Sequence, residues 1–317
     1  MLKIGKMFLA LLLLGYLITG CNQTSEKVSF ENGSTLLKIK TSNYPFYYLT
    51  QRIAGDKADV ESIIQLGVDP HSWEPTPEDL VDLEKAHILF CSGVGMEEWV
   101  GNITAAINSK ELAVLSVTQD IHLLSDEGEV NEKHEELHHD EHNRDLDPHV
   151  WLDPINCIII SRNIKEAVIE KDPDNKEYYE NNYKQLLADL NKLDSDFKSG
   201  LNNIKKKEFV VNHAAFGYLA KRYGLTQIPV MGINPHTEPT PTKMIEIVEL
   251  LRKNNLNCIF TETIINSKAA EVLAKEAGIK TRILNPLGNL TKEDIQAGKD
   301  FLNIMYENLE ALKSALQ

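Results

Sequence analysis

The sequence predicts an α/β protein of two lobes, each built on a mostly parallel sheet, joined by one long helix. Three observations carry that expectation. Short apolar runs alternate with helical patterns in both halves of the chain, as βαβ units require. A 25-residue stretch without Pro or Gly separates the two series. About 297 residues follow the N-terminal leader, a length at which single cores stop growing and chains divide.

Lys3 and Lys6 precede an apolar run from Met7 to Ile18, the pattern of an export signal too short to span a bilayer comfortably. Ile18-Thr19-Gly20-Cys21 resembles the bacterial lipobox, which makes Cys21 the expected lipidation site and residues 1–20 a lipoprotein signal peptide. Residues 21–35 are polar and read as a tether. An N-terminal lobe is expected over 36–170, with strands at Leu36–Ile39, Val60–Ile64, His87–Cys91 and Ala113–Val117. From Asn175 to Ser199, Tyr179, Tyr183, Leu186, Leu190, Leu193 and Phe197 recur every three or four residues, predicting the connecting helix within 171–204. A rigid helical connector of this kind permits only small relative motions of the lobes. The C-terminal lobe is expected over 205–317, with strands at Phe209–Asn212, Gln227–Val230, Cys258–Glu262 and Thr281–Leu284. Its clearest helix runs from Pro241 to Lys253, with Thr240 as N-cap.

The formal charge of −14 becomes −16 once Lys3 and Lys6 are removed, which argues against nucleic acid and suits cation capture. Cys91, Cys157 and Cys258 adjoin apolar runs and read as small hydrophobes, not as a disulfide framework. The chain contains no GxxxxGK or GxSxG pattern, so nucleotide hydrolysis and a serine elbow lack their residues.

Three histidines stand where loops leave the scaffold: His71 in Gly67-Val68-Asp69-Pro70-His71, His149 in Asp147-Pro148-His149, and His213 after a strand. A lone histidine is usually a packing residue, but three such settings together point to metal. Pro70 and Pro148 stiffen two approaches, and Asp69 and Asp147 are placed to bond the ring nitrogen that faces away from an ion. Between Asn131 and His142, the histidines His134, His138, His139 and His142 are interleaved with acidic residues inside a loop expected over 126–147, a composition that binds metal at low affinity.

These motifs, with Pro75-Thr76-Pro77, Trp151-Leu152-Asp153-Pro154 and Asn212-His213-Ala214-Ala215-Phe216-Gly217-Tyr218-Leu219, resemble the solute-binding proteins of zinc and manganese ABC transporters over nearly the whole mature chain. The resemblance implies a receptor that delivers its metal to an ABC permease and its ATPase; with the lipobox, the expected protein is a monomer anchored by lipid to the outer face of the cytoplasmic membrane. It implies a metal in the cleft between the lobes, with His71, His149 and His213 as ligands. Many relatives supply an acid in or just after the segment matching Leu284–Gly288, where this chain has Asn285 and Gly288. The fourth position then falls to water, to Glu262, or to a loop histidine, with a capping role for Glu262 as the alternative. Three neutral imidazoles suit Zn(II), whereas manganese prefers more oxygen, and the histidine-rich loop also favours zinc as the transported cargo. Zinc affinity is expected to fall between about pH 7 and pH 5 as protons take the rings. The competing functions are manganese reception, a zinc hydrolase and a surface adhesin. His87, His122 and His236 read as surface or packing residues.

Overall fold

The computed structural model describes residues 36–107, 109–125, 128–129 and 146–317. The leader, the tether, Cys21 and the loop histidines His134, His138, His139 and His142 lie outside the described residues. Among those described, no helix is long and apolar enough to cross a membrane.

The N-terminal lobe is a four-stranded parallel sheet of β1 (Leu37–Thr41), β2 (Ala58–Ser62), β3 (Ile88–Cys91) and β4 (Ala113–Ser116) in the order β2-β1-β3-β4. The intervening helices are α1 (Tyr44–Ala54), α2 (Pro77–Leu83) and α3 (Trp99–Ala106). All four residues of β3 are buried because the strand is covered on both faces, which explains its unbroken apolar run. A short antiparallel pair, β5 (Leu124–Ser125) and β6 (Gly128–Glu129), follows the lobe and was not expected from the sequence. Two-residue strands leave no periodicity to read.

The C-terminal lobe uses β7 (Glu208–His213), β8 (Thr226–Met231), β9 (Cys258–Thr261) and β10 (Lys280–Ile283), all parallel, in the order β10-β9-β7-β8. Counted from the first strand of each lobe, both sheets have the order 2-1-3-4. The expected strands are thus all present, displaced by one or two residues, and both sheets are fully parallel. The crossovers of this lobe are α6 (Gly217–Tyr223), α7 (Pro241–Lys253) and α8 (Lys268–Ala277).

Thr240 caps α7 by accepting the Lys243 amide at 3.2 Å, with Pro241 at the first helical position. Thr240→Ala is expected to cost about 1 kcal/mol, read as a lower denaturant midpoint at unchanged slope. A changed slope would indicate a wider disruption than a lost cap.

α4 (Pro154–Lys171) leads to α5 (Lys176–Gly200), a helix roughly 37 Å long that ties the lobes together. Its first half meets α1, where Asn182 donates to the Ile53 carbonyl at 3.0 Å, and near mid-helix Asp189 pairs with Arg52 at 2.6 Å. Its last turns meet the other lobe: Phe197 stacks on Tyr223 of α6 with centroids 5.1 Å apart, and the Tyr223 hydroxyl donates to Asp194 at 3.2 Å. Its buried residues Tyr179, Leu186, Leu190, Leu193 and Phe197 are members of the apolar stripe that the sequence spacing marked. After α9 (Lys292–Gln296), the terminal α10 (Phe301–Leu316) returns to the spine, with Tyr306 donating to Asp196 at 2.8 Å and Phe301 stacked on Tyr48 of α1.

Candidate metal centre

In an open parallel sheet, ligands collect at the carboxyl ends of the strands where the strand order reverses. In the C-terminal lobe that point lies between β7 and β9. His213 ends β7, and Glu262 follows β9 directly. Glu262 Oε1 lies 2.6 Å from His213 Nδ1, and both side chains are buried. With Nδ1–H held by the carboxylate, Nε2 keeps its lone pair free for a metal.

His149 is fixed from the opposite side. The segment Asp147-Pro148-His149 runs into a buried 3₁₀ turn at Val150–Leu152 and then into α4, whose N-cap Asp153 accepts the Ile155 amide and is ion-paired with the Arg222 guanidinium at 2.7 Å. Trp151 is fully buried and donates Nε1–H to the Pro286 carbonyl at 2.8 Å, pinning the segment to the C-terminal lobe. Asp147 Oδ1 accepts the His149 amide at 3.0 Å and faces His149 Nδ1 at 2.8 Å. Burial pushes the Asp147 carboxyl up to about 7, against the His149 amide, which favours its charged form. A proton shared between Asp147 and His149 Nδ1 keeps His149 Nε2 unprotonated.

His71 comes from the loop between β2 and α2. The Asp69 contact differs from the expected one: Oδ1 accepts the backbone N–H of His71 at 3.0 Å in an Asx turn, so it sets the loop and not the ring. Its second oxygen, Oδ2, lies 3.1 Å from His236 Nε2.

The three rings converge. His71 Nε2 is 3.2 Å from His149 Nε2, and His213 Nε2 is 3.3 Å from the same atom. Two nitrogens bound to one tetrahedral zinc at about 2.0–2.1 Å stand roughly 3.3–3.4 Å apart, so both spacings approximate an edge of that tetrahedron. His149 and His213 are buried, and His71 is the partly exposed member. Beside them lies a cavity of about 20 Å³ lined by Glu262, Asn285, Gly288 and the three histidines, the size of one water. A larger cavity of about 800 Å³, with Trp73, Glu74, Trp99 and Asn234 in its wall, opens on the His71 side.

Burial first, and then repulsion between the rings, holds His71 and His149 well below the usual histidine range. Both are therefore neutral and able to ligate at neutral pH. Protons compete with an ion only below these lowered values, so the loss of zinc affinity moves to the acid end of the pH 7 to 5 window expected from sequence. Affinity measured by chelator competition should hold as pH falls through about 6.5 and decline below it. A decline already complete near pH 6.5 would mean that water reaches the rings freely.

Glu262 is turned to His213 and not to the start of α8, where Ser267 occupies the N-cap position. Its second oxygen is buried without a protein hydrogen-bond partner. Asn285 is buried, with its side chain accepting the Leu287 amide and its own amide received by Asn308. At Gly288 an added Cβ would stand 3.0 Å from the Pro70 ring. His87 accepts the Lys38 amide at 2.9 Å away from the cleft, and His122 lies near β5. His236 is the residue that sequence reasoning passed over, since its contact with Asp69 spans the two lobes.

The profile of the family described as "Zinc-uptake complex component A periplasmic" (ZnuA) matches residues 39–315. The chain is 37% identical over 300 residues to the high-affinity zinc uptake system protein ZnuA of Bacillus subtilis, covering 95% of this chain and 94% of that one. It is 37% identical over 277 residues to the zinc-binding lipoprotein AdcA of Streptococcus pneumoniae, covering 87% of this chain and spanning 55% of that longer protein. The crystal structure of the Zn(II)-bound ZnuA-like domain of S. pneumoniae AdcA superposes with a TM-score of 0.75 at 35% identity, over 89% of this chain and 99% of that domain.

Proposed function

This chain belongs to the ZnuA family of zinc-uptake proteins, and we propose that it captures Zn(II) through His71, His149 and His213 for delivery to an ABC permease. The family is one of solute-binding receptors and not of enzymes, and zinc is the transported cargo. Its members work with a permease and an ATPase. The observation that carries the ligand assignment is the spacing of the three Nε2 atoms at 3.2 and 3.3 Å, with a carboxylate on Nδ1 of two of the rings.

Water in the small cavity completes the shell in this reading, with Glu262 as the alternative fourth ligand through its unpartnered oxygen. Asp147 orients His149, and Asp69 sets the backbone of His71. Lipid on Cys21 anchors a monomeric receptor to the outer face of the cytoplasmic membrane. The chain divides into a signal peptide (1–20), a tether (21–35), an N-terminal lobe (36–170), a connecting helix (171–204) and a C-terminal lobe (205–317). Its loop histidines His134, His138, His139 and His142 gather zinc near the cleft.

Competitive zinc and manganese titration of the soluble chain from Ser25 tests this reading. One tight zinc site, with manganese much weaker, is the expected result; preferential manganese binding would reassign the cargo. Deleting residues 131–142 should reduce the number of weakly held zinc ions and slow capture at scarce zinc while the tight site persists. Loss of the tight site on that deletion would place the loop in the primary shell.

A further inference from the structure

The three histidines are held in different ways. His149 and His213 each have a carboxylate on the ring. Asp69 instead grips the backbone of His71 with one oxygen and meets His236 with the other, at 3.0 and 3.1 Å. His236 belongs to the loop after β8 in the C-terminal lobe, whereas Asp69 and His71 belong to the loop after β2 in the N-terminal lobe. The base of the same N-terminal loop is also tied across: Gly67 donates its amide to the Leu290 carbonyl at 2.8 Å, and Asn289 donates to the carbonyls of Gln65 and Val68 at 2.7 and 3.0 Å. The base is thus held by Asn289 and Leu290, and the tip that carries His71 is met by His236.

His71 is also the partly exposed ligand, facing the large cavity whose C-terminal wall is formed by Gly232, Ile233, Asn234 and Thr237, the loop that carries His236. An ion leaving by that side must part from His71 first.

We propose that His236 is a positioning residue for zinc retention: it holds Asp69 from the opposite lobe, and through Asp69 fixes the backbone that presents His71. The inference rests on the assignment of His71 as a ligand. Its signature is kinetic. A contact that steadies the loop at the mouth beside His71 bears on escape and leaves first encounter with zinc unaltered, so its loss falls on the dissociation rate.

The test uses the soluble mature chain, with zinc alone as ligand and a chelator in excess, in stopped-flow measurements of association and dissociation. Three variants are compared: His236→Ala, Asp69→Asn and the double variant. Asp69→Asn keeps an oxygen to accept the His71 amide while removing the negative charge opposite His236. Each single variant should release zinc about three- to fivefold faster, the range for a half-exposed pair, with association changed by less than about 1.5-fold. The double variant should release zinc no faster than either single one, because both remove the same contact. Dissociation unchanged within about 1.5-fold in His236→Ala, multiplicative effects in the double variant, or an equal change in association would each overturn the proposal. Failure of the wild-type chain to bind zinc tightly would instead overturn the receptor reading, and the two results are distinguished within one experiment. Equal thermal midpoints of the metal-free proteins separate positioning from a general loss of structure.

Discussion

Replacing His71, His149 and His213 together with alanine should abolish tight zinc binding, a loss of roughly a thousandfold or more in affinity. The three Nε2 atoms are the converging metal donors that the cleft presents among the described residues, and what remains after their removal is a set of oxygen donors, Glu262, Asp69 and Asn285 among them, that do not converge on one point with a histidine. The measurement is chelator-competed calorimetry, with a thermal melt as an independent reading. Zinc at a thousandfold excess over its dissociation constant stabilises a folded protein by about 4 kcal/mol, so the wild type should show a large upward shift of its melting midpoint and the variant none. The rings make edge contacts with one another and with Trp151, but the turn that carries His149 is also secured by Trp151 and by the Asp153–Arg222 pair. The metal-free variant should therefore remain folded, with an unchanged far-ultraviolet spectrum. A tight zinc site that survives the triple change would move the site elsewhere in the chain.

Glu262 gives the second large effect, and two substitutions divide its possible roles. Glu262→Ala removes the acceptor that holds His213 Nδ1–H and leaves a buried imidazole free to rotate or change tautomer; zinc affinity should fall about 10- to 100-fold. Glu262→Gln retains a carbonyl oxygen at the same reach. If Glu262 acts by orienting His213 while water fills the fourth position, the glutamine variant should keep affinity within roughly tenfold of wild type. If its unpartnered oxygen binds the ion directly, the neutral amide is a poor substitute and glutamine should cost nearly as much as alanine. The comparison requires only the two affinities and the wild-type reference.

The strands and the long helix were legible because their signals are local. β3 is an unbroken apolar run, α7 announces itself with Thr-Pro at its start, and α5 repeats an apolar residue every third or fourth position without a breaker. The histidines were legible for a related reason: Asp-Pro-His twice, and a histidine closing an apolar strand, are statements about neighbouring residues. What stayed hidden depends on strand order. Nothing near Thr261-Glu262-Thr263 says that β9 lies beside β7, and only that adjacency brings Glu262 to His213. The Asx turn at Asp69 and the reach of His236 across the cleft were hidden likewise, since each requires the approach of two lobes far apart in the chain. Asp69 and Asp147 share one local motif and yet hold their histidines differently, a distinction that only packing decides.

α5 has a consequence for how a transporter distinguishes a loaded receptor from an empty one. A 25-residue helix anchored to α1 from Asn182 to mid-helix and to α6 and α10 near its C-terminal end behaves as a stiff beam, and bending it would break the Arg52–Asp189 pair and unstack Phe197 from Tyr223. Such a molecule has little global shape change with which to signal. The zinc-loaded and empty forms should then differ chiefly in the few loops around the mouth of the cleft.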